Sequence, residues 1–364
     1  MSLEDFGWTP FFAASFEQWD GPGSTPGRVS LASRGFYQVQ VAQGEWLCRL
    51  SGRQQHDAAF ESGRLPVVGD WVVCRDEEGG TGLITEILPR RSKLSRHVPG
   101  GRTAEQIVAA NVDTVLVVMG LDRDFSLRRL ERLLTLAYEG GIEPVAVLNK
   151  ADRVGDADER RLEVESLAPG VPVLAISALQ DQGLDRVRQL LRPARTFALI
   201  GSSGAGKSTL INRLFGVDLT RTGEVRVHDG RGRHTTTERQ LFRHPAGALL
   251  IDTPGIREVG LWGSEEGLEE AFDDVLALAD GCRFQDCRHE SEPGCAVREA
   301  IEDGLISSER LESYLKLQKE LHYLKIRVDE GAQRAQKQKW RAIHKSMRRE
   351  AKLLRPRRNK TDLL

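Results

Sequence analysis

The stretch TFALIGSSGAGKSTLINRLFG at residues 196–216 constrains the fold more than any other part of the chain. A short apolar run leads into a glycine-rich segment, and helical apolar spacing follows. A strand, a glycine-rich loop and a helix in this order direct backbone N–H groups and a helix N-terminus toward the same position, an arrangement that binds phosphate. A Gly/Ser-rich structural turn is the alternative, but strand, loop and helix in this order favour a phosphate-binding loop.

Residues 201–208 match the phosphate-loop pattern of nucleotide-binding proteins without a gap. Lys207 is expected to reach the β- and γ-phosphates, and the Ser208 hydroxyl is expected to bind Mg²⁺. The full set of residues that we expect around the phosphates is Gly201, Ser202, Ser203, Gly204, Ala205, Gly206, Lys207, Ser208 and Thr209.

Apolar runs of strand length recur on both sides of this loop. They are VDTVLVVMG, PVAVLNK, VPVLAIS, TFALIGSS and GALLIDTPG, and amphipathic stretches such as SLRRLERLLTLAYEGG separate some of them. Strands that alternate with helices predict a mainly parallel, doubly wound α/β sheet. We place this domain at residues 105–270.

The four residues NKAD at 149–152 follow one of the apolar runs. A carboxylate such as that of Asp152 can accept hydrogen bonds from guanine N1–H and the exocyclic amine, two donors that adenine does not offer together. Lys150 would lie along the base, and Ser177 and Ala178 would offer N–H groups to guanine O6. Alone, NKAD is a weak match, and a strand-end turn is the better explanation. Its place after an apolar strand, with Ser-Ala after the next strand, instead favours GTP and GDP as ligands, with Asn149 part of the base site.

Two further segments complete the expected magnesium and γ-phosphate contacts. DTPG follows the strand GALLI and supplies Asp252 on the Mg²⁺ side and Gly255 near the γ-phosphate. The polar, glycine-containing sequence at 229–241 suits a mobile loop. Among its threonines we choose Thr236 to complete the magnesium shell.

The order of these motifs along the chain is unusual. In ordinary GTPases the phosphate loop comes first, whereas here NKAD precedes it by about fifty positions. Because the termini of a domain often lie close together at the surface, they can be joined and the chain can begin elsewhere. The order of the motifs along the chain then changes, while their three-dimensional arrangement in the site is preserved. The sequence therefore predicts a circularly permuted domain.

The N-terminal part of the chain has a different sequence pattern from the central part. Residues 1–33 contain DGPGSTPGR and are expected to form a loosely ordered arm. Residues 34–98 carry short alternating runs punctuated by Gly and Asp, which predicts a small β-barrel. An oligonucleotide-binding (OB) fold is favoured, and an SH3-like barrel with a structural role remains the alternative.

Three of the five cysteines lie beside one histidine near the C-terminus. Cys282, Cys287, His289 and Cys295 fit within 14 residues and offer the four ligands of a tetrahedral Zn²⁺ site. With no ligand position left open, such a zinc ion would be structural. Four residues without a metal are the alternative. We expect a helical zinc-binding module at 271–330.

Charge is unevenly distributed although the net charge is only -1. Residues 264–274 are acidic and the tail at 331–364 is strongly basic, which indicates an anionic partner such as RNA. A solvated basic helix is the alternative. No apolar run reaches the ~18 residues of a membrane span. An odd cysteine count and a start without a signal-peptide pattern predict the cytoplasm.

NKAD before GSSGAGKST before DTPG, after a barrel and before Cys-x4-Cys-x-His-x5-Cys, resembles the RsgA (YjeQ) circularly permuted GTPases over about 35–325. The resemblance implies a GTP hydrolase stimulated by the small ribosomal subunit, acting late in its assembly and contacting its rRNA; we expect a monomer. Ile256 stands where Ras-like enzymes have a water-positioning glutamine. The resemblance makes His234 the catalytic candidate, and an exposed loop histidine without a role is the alternative.

Two other functions remain open from the sequence. One is an RNA-binding assembly factor that uses GTP only as a binding switch. The other is a GTPase that acts on another RNA such as tRNA. The intact Lys207, Ser208, Asp252 and Asp152 argue against a nucleotide site that has lost its function.

Overall fold

The computed structural model describes residues 2–33, 35–60, 65–77, 80–97, 105–216, 239–252 and 266–323. The strands are β1 (Ser24–Ser33), β2 (Phe36–Val41), β3 (Gly44–Leu50), β4 (Trp71–Asp76), β5 (Thr81–Ile87), β6 (Lys93–His97), β7 (Glu105–Ala110), β8 (Thr114–Gly120), β9 (Glu143–Asn149), β10 (Val173–Ala175), β11 (Thr196–Ile200), β12 (Arg239–Arg243) and β13 (Leu249–Asp252). The helices are α1 (Pro10–Phe16), α2 (Gly52–Phe60), α3 (Leu127–Glu139), α4 (Ala157–Leu167), α5 (Leu184–Leu190), α6 (Lys207–Phe215), α7 (Glu266–Ala271), α8 (Asp273–Ala279), α9 (Ala296–Glu302) and α10 (308–323).

Strands β1 to β5 form a closed barrel. Their order is β1-β2-β3-β5-β4, and β4 closes the ring by pairing with β1. The β3–β5 pair is parallel, and α2 lies between β3 and β4 in the chain. Val29, Val39, Val72 and Ile84 fill the interior. A five-stranded Greek-key barrel of this kind confirms the predicted OB-like fold.

The segment 1–33 differs from the loosely ordered arm that we expected. Pro10 occupies the first turn of α1, and β1 pairs with β2 and β4 over most of its length. At Gly27 a Cβ atom would lie 2.5 Å from Val39 Cγ1, so this glycine serves close strand packing rather than a loop. The barrel therefore begins with β1, ahead of residue 34.

The central domain is a doubly wound sheet, as predicted. Strands β10-β9-β8-β11-β13 run parallel in that order, and β12 joins them antiparallel to β13. Helices α3 and α4 contribute apolar side chains to one core, and α5 and α6 contribute to a second. The first core includes Leu130, Leu133 and Val164, and the second includes Leu184, Val187, Leu210 and Leu214.

The barrel and the central sheet are continuous. Leu31 and Ala32 of β1 pair with Gln240 and Arg239 of β12, so one eleven-stranded sheet passes through both. The two units that the sequence presents as separate domains are thus joined by backbone hydrogen bonds as well as by the chain.

Arg28 strengthens this junction from inside. Its buried guanidinium donates to the carbonyl oxygens of Phe6, Gly69 (3.2 Å) and Asn111 (3.0 Å), and it lies over the Trp71 ring at 5.6 Å. Burial lowers the pKa of Arg28 to about 10. Because a buried cation needs its hydrogen-bond partners, this side chain holds the N-terminal segment, the barrel and the central domain together.

The C-terminal helices pack against α3. Leu268, Phe272, Val297, Leu317 and Leu321 contribute to their apolar core. No helix in the described ranges is long and apolar enough to cross a membrane.

Candidate nucleotide-binding site and metal centre

The carboxyl ends of the parallel strands meet at one edge of the sheet. Gly120 at the end of β8 pairs in register with Asn149 at the end of β9, and Ile200 ends β11 beside β8. Asp252 ends β13 on the other side of β11. In open α/β sheets this edge is where ligands bind, and the predicted base and phosphate motifs both lie there.

Glycines shape the phosphate loop as the sequence pattern requires. Gly201, Gly204 and Gly206 have φ values of 146°, 85° and 95°. A Cβ atom on Gly201 would lie 2.0 Å from Val118 O, and one on Gly206 would lie 2.2 Å from Asn149 Nδ2. Side chains are therefore excluded at both positions by backbone conformation and by space.

Lys207 begins α6 and folds back over the loop. Its Nζ donates to the carbonyl oxygens of Gly201 at 2.7 Å and Ser202 at 2.6 Å. Ser203, Gly204, Ser208 and Thr209 are exposed to solvent. The ammonium group is thus held at the loop mouth, where phosphate oxygens can replace the carbonyl oxygens as its acceptors.

Asn149 connects the three predicted motifs. The side chain is buried, its Nδ2 donates to Ala205 O at 2.9 Å, and its Oδ1 accepts the Ala178 N–H at 2.9 Å. Asn149 therefore links the base motif to the phosphate loop and to the 177–178 turn. Its visible role is to hold these segments together.

Asp152 provides the observation that fits guanine. It lies in a short 3-10 helix at Ala151–Arg153, and its Oδ1 is buried without a hydrogen-bond partner. A buried carboxylate oxygen without a donor is costly unless a ligand supplies one. The neighbouring Lys150 has φ 66° and donates to Asp122 Oδ2 at 2.8 Å, and this bond lowers the pKa of Asp122.

The two N–H groups expected to bind guanine O6 already have partners. Ser177 N–H donates to Gln182 O at 3.0 Å, and Ala178 N–H donates to Asn149 Oδ1. Within the described part of the chain, the N–H of the next residue, Leu179, makes no hydrogen bond. The assignment of Ser177 and Ala178 to the guanine O6 contact stays a prediction, with Leu179 as a free donor beside them.

The sequence motifs missed the loop at 121–126, which follows β8. Asp122 binds Lys150, as described above, and Asp124 Oδ2 accepts hydrogen bonds from the Ser202 hydroxyl and from Gly120 N–H. The signal for these residues was Asp-Arg-Asp one residue after the end of a buried strand, at the edge where the other motifs lie.

Several predicted residues lie outside what the structure describes. His234, Thr236 and Gly255 fall in the ranges 217–238 and 253–265, and for Asp252 the backbone alone is described. Their assignments stay predictions.

The four predicted zinc ligands converge. The donor atoms of Cys282, Cys287, His289 and Cys295 lie within 4.8 Å of one another. Cys282 and Cys295 Sγ are 3.9 Å apart, and His289 Nδ1 lies 3.6 and 3.4 Å from them. With Zn–S near 2.3 Å and Zn–N near 2.0 Å, a tetrahedral ion needs separations of roughly 3.8 and 3.5 Å. The side chains fit Zn²⁺.

Comparison with known proteins decides the family. The family model described as RsgA GTPase matches residues 87–262. The small ribosomal subunit biogenesis GTPase RsgA of Syntrophotalea carbinolica is 43% identical over 357 residues, covering 96% of this chain and 98% of the relative. That of Opitutus terrae is 44% identical over 358 residues, covering 96% and 97%. The chain belongs to the RsgA GTPase family.

Solved structures agree with this membership. YjeQ from Thermotoga maritima superposes with a TM-score of 0.61 at 29% identity, covering 82% of this chain and 98% of YjeQ. YloQ, described as a circularly permuted GTPase, gives 0.58 at 26% identity, covering 82% and 95%. A model described as ABC transporter matches 184–349, a range that includes the phosphate loop but not the NKAD motif. The predicted permutation and GTPase class are confirmed for this RsgA family member.

Proposed function

We propose that this RsgA family GTPase acts in the biogenesis of the small ribosomal subunit and that the subunit stimulates its hydrolysis of GTP. The observation that carries the nucleotide assignment is the unpaired, buried Asp152 Oδ1 at the sheet edge that also bears the phosphate loop. The names of relatives that match 96% of the chain support the ribosomal assignment.

Each residue of the site has a proposed task. Asp152 accepts the guanine N1–H and amine, the loop N–H groups bind phosphate oxygens, and Lys207 neutralises charge on the β- and γ-phosphates. Ser208, Thr236 and Asp252 hold Mg²⁺, and this ion supplies further charge neutralisation when it is bound.

Water activation is assigned to the segment that precedes β12. Ile256 has no hydrogen-bonding side chain, so the attacking water must be oriented from elsewhere. We propose that His234 does this when the small subunit is bound.

The remaining parts supply contacts and stability. The Cys282, Cys287, His289 and Cys295 site holds a structural zinc ion that stabilises the C-terminal helices. The basic tail at 331–364 contacts rRNA through its Lys and Arg side chains. The protein is proposed to act as a cytoplasmic monomer.

One experiment separates this function from the two alternatives. GTP hydrolysis by the purified chain is measured alone, with small subunits, with large subunits and with tRNA, and binding is measured by co-sedimentation with GTP, GDP or a non-hydrolysable analogue. Stimulation by small subunits, lost in Lys207→Ala, supports the proposal. Subunit binding without faster hydrolysis indicates a binding switch, and stimulation by tRNA alone indicates a different RNA target.

A further inference from the structure

The loop after β8 places a carboxylate next to the phosphate loop. Asp124 Oδ2 accepts hydrogen bonds from the Ser202 hydroxyl and, at 3.2 Å, from the N–H of Gly120. Gly120 ends β8 and Ser202 is the second residue of the phosphate loop. Asp124 is mostly shielded, with a side chain 17% exposed. One carboxylate therefore joins the end of β8 to the loop that follows the neighbouring strand.

The charge of this carboxylate is compensated locally. Arg129, in the first turn of α3, pairs with Asp124 Oδ1 and also donates to Asp124 O at 3.1 Å. A bare carboxylate beside a triphosphate site would oppose binding, because like charges repel at this range. With Arg129 in place, Asp124 can fix the geometry of the loop at little electrostatic cost.

The same loop also reaches the base motif. The Asp124 N–H donates to Asp122 Oδ1 at 3.3 Å, and Asp122 Oδ2 binds Lys150. Space is tight here, since a Cβ atom on Gly120 would lie 2.7 Å from Asp122 Oδ1 and 3.4 Å from Asp124 Cβ. The loop at 121–126 is thus packed between the base half and the phosphate half of the site.

We propose that Asp124 is a positioning residue of the GTPase: through Ser202 it holds the start of the phosphate loop in the conformation that binds nucleotide. Preorganisation of this kind lowers the cost of ordering the loop when phosphates arrive. The loop binds substrate and transition state alike, so losing its preorganisation raises KM and the dissociation constants while kcat changes little.

The test is a double-mutant cycle on nucleotide affinity. Asp124→Ala and Ser202→Ala are each expected to raise the Kd of fluorescent GDP and of a GTP analogue by roughly 10-fold, as for one charge-assisted hydrogen bond. The double variant should lose no more than Asp124→Ala alone, because the bond that Ser202→Ala removes is already absent in Asp124→Ala. Asp124→Asn keeps an acceptor oxygen and should stay within about threefold of wild type.

Two further variants separate positioning from folding. Asp185→Ala removes a carboxylate that is 88% exposed in the first turn of α5, and its Kd should equal that of wild type. Arg129→Ala leaves the Asp124 carboxylate without its compensating cation. Because GTP carries more negative charge than GDP, this variant should weaken GTP binding more than GDP binding. Thermal unfolding is recorded for every variant, since a purely structural role would lower Tm without raising Kd.

Three results would overturn the proposal. They are additive losses in the double variant, an Asp124→Ala Kd equal to that of Asp185→Ala, and an Arg129→Ala effect that is the same for GDP and GTP. If Asp124→Ala does not fold, Ser202→Ala and Arg129→Ala still decide the matter through their Kd values.

Discussion

Arg310 joins the C-terminal helices to the GTPase domain through a buried ionic contact. Its guanidinium donates to Glu131 Oε1 on α3 at 2.9 Å and to both carboxylate oxygens of Asp274 on α8 at 2.8 and 3.1 Å, and it lies over the Phe272 ring at 4.0 Å. Arg310 and Glu131 are 5% and 2% exposed. Arg310→Ala would leave Glu131 buried without a cation.

The expected loss follows from this burial. Removing one partner of a buried, hydrogen-bonded ion pair costs about 3–5 kcal/mol in the free energy of unfolding. The matched control lies on the same two helices: Arg128 pairs with Glu312, and these side chains are 53% and 68% exposed. Arg128→Ala should cost less than about 1 kcal/mol, because exposed pairs are solvated and weak.

The loss should also depend on pH. Burial raises the pKa of Glu131 even with Arg310 beside it. A carboxyl whose pKa is higher in the folded than in the unfolded state stabilises the fold at low pH, and that contribution is lost as pH rises through the folded pKa. Without Arg310 this pKa rises further. Arg310→Ala should therefore be less destabilised relative to wild type at about pH 5 than at about pH 8.

Urea unfolding followed by circular dichroism, with hydrogen exchange of the α10 amides, measures both effects. The double variant Glu131→Gln with Arg310→Met removes the buried charges together and should recover part of the loss. A loss in Arg310→Ala no larger than in Arg128→Ala, or one independent of pH, would refute the reasoning.

Three other predictions concern the nucleotide and zinc sites. Asp152→Asn should weaken GTP binding by at least roughly 10²-fold and should favour the binding of xanthosine triphosphate. Equilibrium titration with both nucleotides measures the two dissociation constants. Elemental analysis should find about one zinc per chain, and Cys287→Ala should destabilise the C-terminal helices while the Kd for GDP stays at its wild-type value. His234→Ala should lower subunit-stimulated kcat by roughly 10²-fold in single-turnover assays, with an unchanged Kd for a GTP analogue; equal rates would assign the water to another group.

The phosphate-loop geometry and the Cys/His cluster were predictable because their signals are local. The strand, glycine loop and helix around Lys207 follow one another in sequence, and the spacing of Cys282 to Cys295 already fits one ion. The convergence of Asn149 with Ala205, 56 residues apart, was predictable from a general property of parallel sheets, whose carboxyl ends share an edge.

The structure of the first 33 residues was not predictable in this way. Gly and Pro are usually signals of turns, and the sequence around Gly27 contains several. Pairing of β1 with β2, β4 and β12 overrides that local preference. Thr9 before Pro10 was the available signal for α1, since proline is favoured in the first helical turn.

Contacts between distant charged residues were equally hidden. Nothing in the sequence assigns Arg28 to three carbonyl oxygens or Arg310 to Glu131, because each partner is chosen by tertiary packing. The chain carries 29% charged residues, so charge alone does not single out these two arginines. Burial distinguishes them, and burial is known only once the elements are assembled.

Packing at α3 connects the segment that follows the central sheet to the beginning of that sheet. Here α3 follows the first strand of the central sheet, and α7 is the first described helix after β13. The two helices touch so closely that a Cβ atom on Gly267 would lie 2.4 Å from the Glu139 N. The described helices that follow β13 are thereby anchored on α3. This helix begins close to Asp124 and the phosphate loop, and it carries Glu131, the partner of Arg310.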